Sequence, residues 1–145
     1  MIKTEIVCVG KIKEEFYRQA IAEYSKRLSR FTKLEIKELP EGKNPEAEGE
    51  SILRAATGYK IALCIEGEKF SSEGFAAKIK RLCDGGKTIS LIIGSSCGLS
   101  QEVKESSDFK LSFSDMTFPH QLMRVILCEQ LYRAFMINGG GLYHK

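Results

Sequence analysis

Three segments of the sequence end an apolar run in residues that could bind or react. In open α/β sheets, ligands sit outside the carboxyl ends of the strands. The candidate ends here are residues 63–67, 93–98 and 113–118. The first closes the run Ile61-Ala62-Leu63-Cys64-Ile65-Glu66-Gly67. It could floor a site for a flat apolar group, or simply carry a buried strand into a turn. The second runs from Leu91 to Ser100 through Gly94-Ser95-Ser96-Cys97-Gly98. A strand that opens into glycines and small polar residues can bring backbone amides close to a ligand. It also suits an ordinary tight turn from strand to helix. No Gly-Lys-Ser/Thr follows, and G-x-G-x-x-G is absent, so neither phosphate-binding fingerprint applies. Cys97 has no histidine near it in sequence, which leaves a thiol nucleophile unsupported.

The third segment, Leu111-Ser112-Phe113-Ser114-Asp115-Met116-Thr117-Phe118-Pro119-His120, mixes Ser, Asp and Thr into an apolar stretch and delivers Pro-His to a helix entrance. That helix carries Arg124, Glu129 and Arg133 among apolar residues. Polar side chains on such a helix tend to face a partner, a ligand or one another. Glu129 and Arg133 are four apart and could simply pair along the helix. The tail, Gly139-Gly140-Gly141-Leu142-Tyr143-His144-Lys145, is a hinge followed by an aromatic ring, an imidazole and a cation. It could fold back over a site or remain an exposed terminus.

The elements that must position these residues alternate. Residues 4–9, 34–39, 59–65, 88–93 and 109–113 read as strands, and residues 14–31, 46–57, 71–83, 99–107 and 119–138 as helices. The run 59–65 is nearly continuous in apolar residues, as in a strand buried on both faces. Residues 88–93 and 109–113 read the same way, the latter more weakly. Ser71 or Ser72 is a plausible N-cap. Pro119 stands near the start of the last helix and Gly139 past its end. The alternation predicts one α/β domain over residues 1–145, with a parallel sheet covered by helices on both faces.

Bulk properties narrow the function classes. The chain has 145 residues, 43% apolar and 28% charged, which fits a folded domain with a real core. Twenty-two basic and 19 acidic residues leave a formal charge of +3 and no block of like charge. A basic RNA-binding tail is therefore absent, though nucleic acid is not excluded. No apolar run could span a bilayer, and the charges from Lys11 onward do not suit a signal peptide, so a cytoplasmic protein is expected. Five cysteines with no C-x-x-C spacing, and only two histidines, give little support to a metal site.

Taken together, the Gly94 loop, the run 111–124 with Phe118-Pro119-His120, the helix through Glu129-Gln130-Leu131-Tyr132-Arg133-Ala134 and the terminal Tyr143-His144-Lys145 resemble the RlmH family. These are ribosomal RNA large-subunit pseudouridine N3-methyltransferases of the SPOUT superfamily. Val7-Cys8-Val9-Gly10-Lys11 and Glu23-Tyr24 match as well, and the likeness spans essentially the whole chain. The resemblance implies a carboxyl-terminal trefoil knot, a rare exception to unknotted topology. It implies S-adenosylmethionine held by backbone groups, with contacts falling on Leu63, Gly94, Phe113, Ser114, Asp115, Met116, Thr117 and Phe118. His120, Arg124, Tyr143 and His144 become the catalytic candidates. Large-subunit rRNA in the assembled ribosome becomes the partner. A homodimer is implied too, built on the last helix, with each site borrowing residues from the neighbour. Three departures stand out. The segment between Gly42 and Ser51 is shorter than in several relatives. Ser95 replaces the second glycine with which the family's loop usually begins, and Cys64 stands where an acid often occurs. The competing readings are a SPOUT methyltransferase for tRNA or another rRNA site, a non-catalytic RNA-binding or assembly relative, and a flavodoxin-like nucleotide binder.

Overall fold

Burial on both sides of Lys3–Val9 (β1) makes it a central strand. Ile6 and Cys8 bury themselves in one apolar cluster, Val7 and Val9 in another, as the period-two alternation of a strand requires. The computed structural model describes residues 1–144. Lys145, part of the terminal motif, lies outside the described residues. After β1 come α1 (Glu15–Leu28), β2 (Lys33–Leu39), α2 (Pro45–Ala55), β3 (Tyr59–Lys69), α3 (Ser72–Asp84), β4 (Ile89–Ile93), α4 (Gln101–Ser106), β5 (Phe109–Ser112) and α5 (His120–Asn138).

The strands form one sheet in the order β2-β1-β4-β3-β5, with every pair parallel. Helices α1, α3 and α5 cover one face through Leu28, Phe75, Ile79, Leu127 and Leu131. Helices α2 and α4 cover the other through Ile52 and Val103. The two-sided α/β expectation therefore holds. Ser71 caps α3 as its position suggested, its hydroxyl accepting from Gly74 N at 3.0 Å. Asn44 and Ser100 cap α2 and α4 in the same way. No helix among the described residues is long and apolar enough to cross a membrane.

Two strands depart from expectation. β3 is fully buried only at Ile61 and Ala62, and it runs on to Lys69. Its pairing with β5 shifts register between Leu63 and Glu68, an irregularity that frees residues 64–67 from the ladder. β5, expected as a third buried strand, is the sheet edge and pairs only with β3. Both differences serve one end of the sheet. α3 leaves β3 towards one face and α4 leaves β4 towards the other, so a crevice opens beyond the carboxyl ends of these neighbours.

Candidate functional site

That crevice is a cavity of about 670 Å³, within the range of small-molecule sites. Leu63, Ile93 and Leu111, near the carboxyl ends of the paired parts of β3, β4 and β5, line it. Residues 94–99 form one wall. Phe113, Ser114, Met116, Thr117, Phe118, Pro119 and His120 form another as the chain travels from β5 into α5. Ile65 and Met116, 47% and 73% exposed, stand where the lining meets solvent.

The loop after β4 folds on itself. Ser95 and Gly98 form an isolated antiparallel bridge, and Gly98 N donates to Ser95 O at 2.9 Å. Gly98 has a φ of +80°, where a side chain would be strained. A Cβ on Gly94 would lie 2.7 Å from the Gly98 carbonyl carbon, so only glycine lets the two ends of the loop meet. Ser95 has no positive φ, so the glycine usual in the family is not required there. Its hydroxyl instead donates to Glu48 Oε1 at 2.9 Å, while Glu48 Oε2 accepts from Gly42 N at 3.1 Å. Glu48 is 6% exposed and ties the loop to α2. Opposite, Lys104 pairs with Glu66 at 2.5 Å, and that hydrogen bond holds the Glu66 carboxyl below its ordinary value. Nothing in the local sequence marks Glu48 or Lys104, because both act across long sequence separations.

Seven of the eight expected cofactor contacts line the cavity. Asp115 does not, because its exposed carboxylate turns outward to Lys69 at 2.5 Å. The four catalytic candidates separate. His120 opens α5 and lines the cavity. Burial, and then the positive charge of Arg124, hold its imidazole below the ordinary histidine value. The neutral form that can accept a proton is favoured.

Arg124, one turn further, points into the protein and is absent from the lining. Its Nη2 donates to Val9 O at 2.7 Å and Gly10 O at 2.8 Å, and its Nη1 to Glu38 at 3.0 Å. It is the largest fully buried side chain, at 1% exposure. Tyr143 and His144 are also absent from the lining. Tyr143 donates to Glu129 Oε2 at 2.9 Å and meets the Tyr132 ring edge-on. Burial and the Glu129 carboxylate push its ionisation up, so it remains a phenol. The His144 ring bridges Arg133, at 2.9 Å, and Glu73, at 2.5 Å. Glu129 and Arg133 make the intrahelical pair their spacing allowed, at 2.6 Å.

Similarity to known proteins agrees with this geometry. A family model described as "Predicted SPOUT methyltransferase" matches residues 2–144. The chain is 49% identical to "Ribosomal RNA large subunit methyltransferase H" of Bifidobacterium adolescentis, covering 99% of this chain and 100% of that protein. It is 47% identical to the protein of the same name from Lactiplantibacillus plantarum, covering 97% and 98%. Among solved structures, a probable methylase family protein from Haemophilus influenzae superposes with a TM-score of 0.63 at 11% identity, over 100% of this chain and 72% of that one. The SpoU methyltransferase AviRb from Streptomyces viridochromogenes, in complex with AdoMet, gives 0.51 at 11% identity, over 97% and 59%. With a matching family model across nearly its whole length and full-length relatives near half identity, the chain belongs to the SPOUT methyltransferase family.

Proposed function

We propose that the protein transfers a methyl group from S-adenosylmethionine to N3 of a pseudouridine in large-subunit rRNA, acting in the cytoplasm as a homodimer on the assembled ribosome. The observation that carries the reading is the meeting of the Gly94–Gly98 loop, the residue 113–119 wall and His120 around one cavity. Family membership and the names of the full-length relatives support the large-subunit rRNA target. The walls also fit the donor. Leu63, Ile93 and Leu111 offer an apolar bed for adenine, and the Gly94–Leu99 loop, drawn tight by the close approach of Gly94 to Gly98, lines one side.

S-adenosylmethionine supplies a methyl group that is already electrophilic on its sulfonium. What remains for the chain is positioning, exclusion of water and removal of the N3 proton. Orientation alone can contribute about 7–11 kcal/mol. A well-placed base adds roughly 10²–10⁴-fold. His120 is the candidate of the four that faces its own cavity, and its neutral imidazole suits the task. The target base must be presented free of its stack, which favours a loop or an extruded nucleotide.

Dimerisation is supported by α5. Leu122, Val125 and Ile126 are only half-buried within one chain, although the helix is apolar around much of its circumference. A two-fold contact along α5 would cover them and bring one chain's tail towards the other's cavity. The course of residues 113–119, from the sheet edge back to a helix packed on α1 and α3, is compatible with the family's knot.

The test is methyl transfer from labelled S-adenosylmethionine to ribosomes from a strain lacking the gene, beside free large subunits, naked rRNA and a tRNA pool. Label on one large-subunit pseudouridine, strongest with assembled ribosomes, is the expected result. Label on tRNA would keep the chemistry and discard the substrate. An unlabelled reaction with no binding of S-adenosylmethionine would leave a non-catalytic relative.

A further inference from the structure

From the last residue of β1 into the irregular stretch before α1, five successive carbonyls, Val9 to Lys13, each accept a hydrogen bond from a side chain. Arg124 serves Val9 O and Gly10 O. Gln121 Nε2 donates to Lys11 O at 3.3 Å. Arg18 donates to Ile12 O at 3.2 Å and Lys13 O at 3.1 Å. Two amides are held as well: Ile12 N donates to Glu38 and Lys13 N to Gln121 Oε1. Side chains from α1, β2 and α5 therefore fix a segment that has no ladder of its own, behind a left-handed turn at Gly10 with φ +85°. Loops are ordinarily the mobile parts of a fold. Ordering this one costs conformational entropy that the network must offset.

What the network presents is two lysines. Ile12 is 7% exposed and anchors the segment in the core, while Lys11 and Lys13 on either side of it are exposed. Of the nearby carboxylates, Glu15 pairs with Arg18 and Glu38 with Arg124, while Glu14 and Glu41, the latter beside Gly10, make no ion pair with either lysine. Neither lysine makes a salt bridge among the described residues. Their location is fixed relative to the cavity, because Gln121, which clamps Lys11 and Lys13, directly follows the cavity-lining His120. A rigid pair of cations on the rim of a site suits a chain of phosphates, whose contacts set register without reading sequence.

We infer that the Lys11–Lys13 loop is a phosphate clamp, rigidified by Arg18, Gln121 and Arg124, that grips the RNA backbone beside the target nucleotide and holds it over the cavity. This rests on the RNA methyltransferase reading above. Phosphate contacts carry a signature that packing contacts lack. Each neutralised phosphate of single-stranded RNA contributes about 0.7 to the slope of log affinity against log salt.

The test compares the whole protein with Lys11→Ala, Lys13→Ala, the double variant and Lys87→Ala, an exposed lysine at the opposite end of the strands. Methyl transfer to ribosomes lacking the modification is followed over a salt series, with S-adenosylmethionine affinity and oligomeric state measured on the same samples. The clamp predicts a raised KM for ribosomes in each single variant at low salt. It predicts a salt slope shallower by about 1.4 in the double variant. Cofactor affinity should stay unchanged, and Lys87→Ala should behave as the parent. An unaltered slope, an equal loss in Lys87→Ala, or a shift in oligomeric state would overturn the clamp while the parent still methylates. Failure of the parent itself to methylate or to bind S-adenosylmethionine would instead overturn the enzymatic reading on which the clamp rests.

Discussion

Ser95 and Glu48, 47 residues apart, are joined by a 2.9 Å hydrogen bond from the serine hydroxyl to Oε1 of a carboxyl group buried beneath the cavity loop. The bond converts a departure from the family's glycine into a tether. Ser95→Ala removes the donor and leaves Glu48 one partner short. Loop order should fall, and affinity for S-adenosylmethionine should drop by about fivefold, the equivalent of roughly 1 kcal/mol for one net hydrogen bond. Glu48→Gln keeps an acceptor and should be milder. A Ser95→Ala/Glu48→Ala double variant should bind no worse than Glu48→Ala alone, since both changes break the same link. Additive losses, measured by calorimetric titration, would show that the two residues act independently.

Arg124 answers to folding more than to chemistry. Its guanidinium serves Val9 O, Gly10 O and Glu38, so Arg124→Met leaves a carboxylate and two carbonyls without their donor. Glu38 is a third exposed and keeps Ile12 N as a donor, so the cost falls mainly on the two buried carbonyls, about 1–3 kcal/mol each. Lysine cannot reproduce the fork and should recover little of that. Urea denaturation of both variants would read the loss directly. Parent-like stability combined with lost methyl transfer would instead put Arg124 in contact with substrate.

The sequence was most informative where neighbouring residues decide the outcome. Ser71 as a cap and the Glu129–Arg133 pair are both local, and both are found. Burial of β3 and β5 was overestimated because their apolar runs serve a cavity as well as a core, and composition cannot distinguish the two. Glu48 could not have been chosen over Glu46 or Glu50, since only folding brings it to Ser95. Arg124 and His120 share a helix four residues apart yet face different spaces. Which space each faces depends on packing against β1, a contact more than a hundred residues distant in sequence.

Tyr143 and His144 fold against α5 and α3 of their own chain, away from their own cavity. If they serve a partner's site, deleting residues 142–145 should leave cofactor binding intact and abolish methyl transfer. Mixing the deleted chain with a His120→Asn chain then restores one complete site in each mixed dimer, or roughly a quarter of parental activity at random pairing. Mixtures as inactive as their components would assign the tail to its own subunit or to folding.

If His120 is the base, it should set the acid side of the pH profile. Burial and the positive charge of Arg124 lower its folded value from 6.5, so the folded protein resists protonation that the unfolded chain accepts. Between the two values the unfolded state binds more protons. Stability from this residue is therefore complete above 6.5 and falls as the solution becomes more acid, the sign expected for a depressed histidine. Function follows the same group. If neutral His120 takes the N3 proton, kcat should be level at neutral pH and decline only at values below the ordinary histidine range. His120→Asn should lower kcat by about 10²–10⁴-fold and remove that acid limb. The loss should shrink at alkaline pH, where N3 ionises unaided, while cofactor affinity changes little. Persistence of the acid limb in His120→Asn would transfer the proton-accepting role to another group. A variant that lost cofactor affinity along with kcat would make His120 part of the donor's binding site instead.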